Sequence, residues 1–115
     1  MHTSITKSFR FDASHLLEWH AGACANLHGH GYRVEVTVIG EPDDNGIVLD
    51  FDEIDQIVTS EVIEALDHTH LNDLIENPTA ELIAAWIFEK LAKSLAGLAA
   101  VRIYESPDTW AEVRG

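Results

Sequence analysis

The chain has 115 residues, 46% apolar and 23% charged, a composition that predicts a single globular domain over residues 1–115 and excludes a disordered segment. Twenty acidic residues against seven basic ones give a formal charge of −13, which argues against nucleic acid or a membrane surface as partner. The single cysteine, Cys24, rules out an intrachain disulfide framework, and neither a secretory leader nor a membrane span is visible, so a cytoplasmic protein is expected.

Ile5 to His15 alternates, with Ile5, Lys7, Phe9, Phe11, Ala13 and His15 on one side and Thr6, Ser8, Arg10, Asp12 and Ser14 on the other. That period of two predicts a half-buried strand. After a loop with Gly22, Leu27 to Gly40 alternates again, Tyr32, Val34, Val36 and Val38 opposing Arg33, Glu35 and Thr37. The turn signal Glu41-Pro42-Asp43-Asp44-Asn45-Gly46 predicts that Ile47 to Leu49 returns as the second arm of a hairpin. Asp50 with Glu53 resembles a capping box ahead of Ile54, Ile57, Val58, Val62 and Leu66 at helical spacing. A second helix is expected from Asn77-Pro78-Thr79, where Pro suits the first helical position and Asn77 or Thr79 can cap, with a buried stripe of Leu82, Ile83, Trp86, Ile87 and Leu91, and Gly97 as its stop. Ala99 to Glu105 closes the chain as a strand with Val101, Ile103 and Glu105 on one face.

The order β-β-β-α-α-β predicts an α+β fold, a mainly antiparallel four-stranded sheet with two helices on one face. The other face carries Arg10, Asp12, Arg33, Glu35 and Arg102, and a small open sheet leaves two edges unpaired. Copies joined edge to edge in a closed barrel with a polar lumen would satisfy both; a monomer with a wet sheet face is the simpler alternative.

Seven histidines exceed what a core of this size needs. In His28-Gly29-His30 two imidazoles share a strand face, and His15 ends the first strand on its apolar side, where it could complete a triangle. Three neutral imidazoles with one open position are the arrangement of a catalytic zinc; three hydrogen-bonded structural histidines are the plainer reading. Cys24 is open to three readings: a proton-transfer thiol, a fourth metal ligand, or a small buried side chain. Asp67-His68 reads either as a carboxylate orienting a catalytic imidazole or as a helix-end cap. Glu105, a carboxylate at an inward position, needs a partner such as a planar heterocycle with two parallel N–H donors, unless the strand has already left the sheet there.

Taken together, Phe9-x-Phe11-x-Ala13-x-His15, Cys24-x-x-x-His28-Gly29-His30-x-Tyr32, Gly46-x-Val48-x-Asp50-Phe51, Leu66-Asp67-His68-x-x-Leu71-Asn72, Pro78-Thr79-x-Glu81 and Glu105 resemble the 6-pyruvoyl tetrahydropterin synthase/6-carboxytetrahydropterin synthase family over nearly the whole chain. The resemblance implies the tunnelling fold, with trimers closing into barrels and two trimers stacking into a homohexamer. It implies zinc on His15, His28 and His30, proton transfer by Cys24, Asp67 and His68, and a pterin ring anchored by Glu105 with Thr79 and Glu81. The short Cys-to-His spacing is most similar to the 6-carboxytetrahydropterin synthases of 7-deazapurine (queuosine) biosynthesis. The implied reaction converts 7,8-dihydroneopterin triphosphate to 6-carboxy-5,6,7,8-tetrahydropterin, acetaldehyde and triphosphate. The same fold making 6-pyruvoyl tetrahydropterin is the nearest alternative, and a non-catalytic zinc-stabilised binding module a more distant one. Lys7, Arg10 and Arg33 are candidate cations for the triphosphate. Leu82, where many members carry Asn, and the tail Ser106-Pro107-Asp108-Thr109-Trp110 depart from the family pattern.

Overall fold

Two 13-residue strands, β1 (Thr3–His15) and β2 (His28–Gly40), form the spine of the molecule in a computed structural model that describes residues 1–22 and 25–115. They pair antiparallel without a slip, placing Phe9 opposite Val34, Phe11 opposite Tyr32, Ala13 opposite His30 and His15 opposite His28. Because side chains alternate, this one register sends all eight to the same face, and a one-residue slip would turn the whole set to solvent. β2 also pairs antiparallel with β4 (Leu98–Ser106), and β4 with β5 (Thr109–Arg114). A two-residue strand β3 (Thr69–His70) runs parallel to β1 at Ala13 and Ser14, so the order is β3-β1-β2-β4-β5.

The sheet therefore has five strands, not the expected four, and the membership differs. Ile47 to Leu49 is not a strand. β2 already has β1 on one side and β4 on the other, so a returning arm would find no free edge. The segment folds on itself instead: the Asp43 carboxylate accepts from the Asn45 and Ile47 N–H groups at 2.8 and 3.2 Å, and the Asp43 N–H donates to the Ile47 carbonyl at 2.9 Å. The tail supplies the missing strand, turning at Pro107-Asp108 into β5.

All helices lie on the apolar face. α1 (Phe51–Val58) is capped by the Asp50 carboxylate, which accepts from the Asp52 N–H at 2.9 Å. It runs into a π-helical turn, Thr59–Ile63, and a last α-helical turn, α2 (Glu64–Leu66). The buried residues Ile54, Val58, Val62 and Leu66 are four apart throughout. On a 3.6-residue helix such a stripe drifts about 40° per step, and the wider π turn takes up part of that drift. α3 (Ala80–Ala92) is capped by Thr79, whose hydroxyl accepts from the Leu82 N–H at 3.2 Å, so Pro78 precedes the cap and is not the first helical residue. Its buried side is Ile83, Ala84, Ile87 and Leu91, leaving Leu82, expected in the stripe, 44% exposed.

Gly97 is not the helix stop. It precedes β4 at φ +80°, and a Cβ there would stand 2.5 Å from the Ile39 carbonyl, so only glycine lets β4 start against β2. The helices cover Tyr32, Val34, Val36, Val38, Val101 and Ile103, each worth about 1.5–3 kcal/mol of burial if fully removed from water. Among the described residues the second sheet face carries no layer, and the edge of β1 away from β2, from Thr3 to Asp12, and the outer edge of β5 have no strand beside them. No helix among the described residues is long and apolar enough to cross a membrane.

Candidate active site

Where the apolar face runs out, histidines replace the core. The Phe11 and Tyr32 rings stack at 5.0 Å and 17°; the next pair is Ala13 with His30, and the last His15 with His28. The three imidazoles meet edge to face, with centroids 4.5 to 5.0 Å apart. One ligand nitrogen from each lies within 4.8 Å of the others. His15 is fully buried.

The surrounding hydrogen bonds decide which nitrogen each ring turns inward. The Pro78 carbonyl, 2.8 Å from His15 Nδ1, can only accept, so Nδ1 carries the proton, which also faces the Tyr32 hydroxyl oxygen at 3.2 Å. The Asn26 carbonyl, 2.6 Å from His28 Nδ1, does the same there. Each Nε2 is then left with a bare lone pair, and these two atoms point at each other 2.9 Å apart. Two lone pairs at that distance repel unless a cation or a proton lies between them. His30 Nε2 is buried with no hydrogen-bond partner among the described residues, and burial pushes this imidazole below its ordinary pKa against the opposing charge of Glu105, with His15 and His28 pushing it lower. Three converging imidazoles of this kind could hold a metal ion.

Asp67 and His68 are also brought together, beyond the end of α2. Asp67 Oδ1 accepts from the Asp12 N–H at 2.9 Å, and Oδ2 lies 3.0 Å from His68 Nδ1. The His68 N–H in turn donates to the Asp12 carbonyl at 2.6 Å. His68 adopts φ 59°, a left-handed conformation that costs about 1–2 kcal/mol for a residue with a Cβ, and the clamp onto Asp12 holds it there. The Asp12 N–H keeps the Asp67 carboxyl below its usual pKa, opposed by desolvation and reinforced by His68. His68 and His30 border one open cleft of about 590 Å³. Glu105 is half-buried and borders a second cavity of about 320 Å³ with Glu81 and Trp110, while Thr79 spends its hydroxyl on capping α3. Cys24 falls outside the described residues.

Residues 4–115 match the family model for 6-pyruvoyl tetrahydropterin synthase. The chain belongs to the 6-pyruvoyl tetrahydropterin synthase family. Among its relatives in this family, a 6-carboxy-5,6,7,8-tetrahydropterin synthase of Synechocystis is 40% identical over 110 residues, covering 89% of this chain and 85% of that one. A dihydroneopterin monophosphate aldolase of Pyrococcus furiosus is 42% identical over 90 residues, covering 76% and 73%. The structure of Caenorhabditis elegans 6-pyruvoyl tetrahydropterin synthase superposes with a TM-score of 0.88 at 27% identity, covering 100% of this chain and 96% of that one. The architecture is thus the tunnelling fold of the 6-pyruvoyl tetrahydropterin synthase family.

Several further residues hold this site in place. Asn72 pairs its side-chain amide with the Leu16 backbone, accepting from its N–H at 2.9 Å and donating to its carbonyl at 2.8 Å, which pins the chain just after His15. Ser14 Oγ lies 3.0 Å from His70 Nδ1, and Trp19 Nε1 donates to Asn77 Oδ1 at 2.8 Å. Asn72 had a signal, standing in the Leu66-Asp67-His68-x-x-Leu71-Asn72 element; Pro78 and Asn26 act through main-chain carbonyls, which any residue could offer.

Proposed function

We propose that the protein is a zinc-dependent 6-carboxy-5,6,7,8-tetrahydropterin synthase, converting 7,8-dihydroneopterin triphosphate and water to 6-carboxy-5,6,7,8-tetrahydropterin, acetaldehyde and triphosphate in 7-deazapurine (queuosine) biosynthesis. The observation that carries this reading is the convergence of His15, His28 and His30, with the tautomers of His15 and His28 set by carbonyls behind the rings. Bound there, zinc supplies a Lewis acid that acidifies the hydroxyls and adjacent C–H bonds of the substrate side chain. Glu105 accepts two parallel N–H donors from the pterin edge, helped by Thr79 and Glu81. Cys24 takes the first proton. Asp67 Oδ2 holds the proton on His68 Nδ1, which leaves Nε2 to exchange protons as triphosphate departs and the side-chain carbon–carbon bond breaks.

The bare polar face and the free edges of β1 and β5 favour assembly through those edges, and we propose a homohexamer of two stacked trimers in the cytoplasm. One incubation with 7,8-dihydroneopterin triphosphate tests the reaction, with triphosphate and acetaldehyde assayed together. Release of both in equal amounts is the expected result. Triphosphate alone would mean a 6-pyruvoyl synthase instead, and neither product would remove catalysis on this substrate from the account.

A further inference from the structure

Charge in this chain is segregated by sheet face. The alternation of the strands puts Arg10, Arg33, Arg102 and Arg114, four of the seven basic residues, on the face without helices, against only Asp12, Glu35 and Glu112. A chain of net charge −13 thus presents one face on which cations outnumber carboxylates. Most of that charge is spoken for. Arg102 donates to Glu112 Oε1 at 3.0 Å and Arg114 pairs with Glu112 Oε2, while Glu35 takes the Tyr104 hydroxyl at 3.1 Å with Arg33 and Arg102 at 3.8 and 3.9 Å.

Arg10 is the exception. Among the described residues it has no carboxylate within ion-pair distance, and the register sets it directly opposite Arg33. Like charges facing each other across two strands destabilise the pair, so the arrangement is one that an anion would repair. Arg33 is already ordered for such a ligand, its guanidinium lying 3.9 Å from the centre of the Tyr104 ring. Both arginines line a cavity of about 140 Å³ with Gly31, Tyr104, Ser106 and Pro107, and Glu105 forms its far wall. The third sequence candidate is elsewhere: Lys7 lies on the helix side, 3.5 Å from Asp55.

We infer that Arg10 and Arg33 form an oxyanion clamp that takes a phosphate group, and that in the reaction proposed above it holds the phosphate tail of the substrate. The identity of the tail rests on that proposal; the clamp does not. Two planar guanidiniums lining one cavity suit the several oxygens of a phosphate.

The test is calorimetric titration of the purified protein with inorganic triphosphate and, separately, with unphosphorylated 7,8-dihydroneopterin. Arg10→Gln is expected to weaken triphosphate about tenfold or more while leaving dihydroneopterin affinity unchanged. Lys7→Gln is expected to change neither. Among the described residues Arg10 has no ion-pair partner to lose, so the variant is expected to fold, and relief of the facing charges is expected to raise its thermal midpoint without ligand. Unchanged triphosphate affinity in Arg10→Gln, or an equal loss in Lys7→Gln, would overturn the clamp. Because this readout needs no turnover, a protein that releases no acetaldehyde yet loses triphosphate with Arg10 keeps the clamp and loses the reaction. One that turns over as proposed with triphosphate affinity indifferent to Arg10 does the reverse.

Discussion

His28→Ala is expected to purify with little zinc and to have no measurable turnover, whereas the wild-type protein is expected to purify with one zinc per chain. Changes behind a metal ligand already cost about 10- to 100-fold in metal affinity, and removing one of three ligands costs more. His28 is the informative position because it is only half-buried, at the end of the β1–β2 ladder, so its loss leaves the packed face from Phe9 to Tyr32 in place. His15 is fully buried and bonded to Pro78, so its loss would confuse metal release with unfolding. Metal analysis together with a melting curve decides the matter. Full zinc in a folded His28→Ala protein would remove His28 from the ligand set.

The second large effect separates proton transfer from metal binding. Cys24→Ala and His68→Ala are each expected to keep zinc and pterin affinity and to lose about 10²- to 10⁴-fold in kcat, the usual cost of removing a general acid or base. The side chain of His68 is 79% exposed, so its replacement leaves the core untouched, and the Asp67 carboxylate keeps its bond to the Asp12 N–H. The double variant should fall short of the product of the two losses, since both residues serve one proton path. Rapid-quench kinetics with zinc measured on the same samples gives both quantities. Near-full turnover in either variant would take that residue out of the catalytic group.

What the sequence made legible follows from periodicity. Strands of 13 residues repeat their alternation often enough to declare both faces, and that parity alone puts His15, His28 and His30 on the core side. Asp50 and Thr79 were readable as caps because the chemistry of capping is local. The Ile47–Leu49 arm failed because a turn signal says that the chain reverses, not whether an edge is free to receive it. β3, with two residues, is shorter than any period, and β5 follows a Pro-Asp turn beyond Glu105, where the last expected strand ends. The π turn left its trace only in the four-residue spacing from Ile54 to Leu66. The carbonyls of Pro78 and Asn26, which orient two of the three rings, are main-chain atoms and have no side-chain signature at all.

The central claim is that the three histidines hold a zinc whose remaining position is open to substrate. X-ray absorption at the zinc edge on the purified protein reads this directly. The expected first shell is nitrogen and oxygen only, at about 2.0–2.1 Å, from His15, His28, His30 and water. A sulfur scatterer at about 2.3 Å would mean that Cys24 closes the site as a fourth ligand, and would contradict both the open position and the role of that thiol in proton transfer.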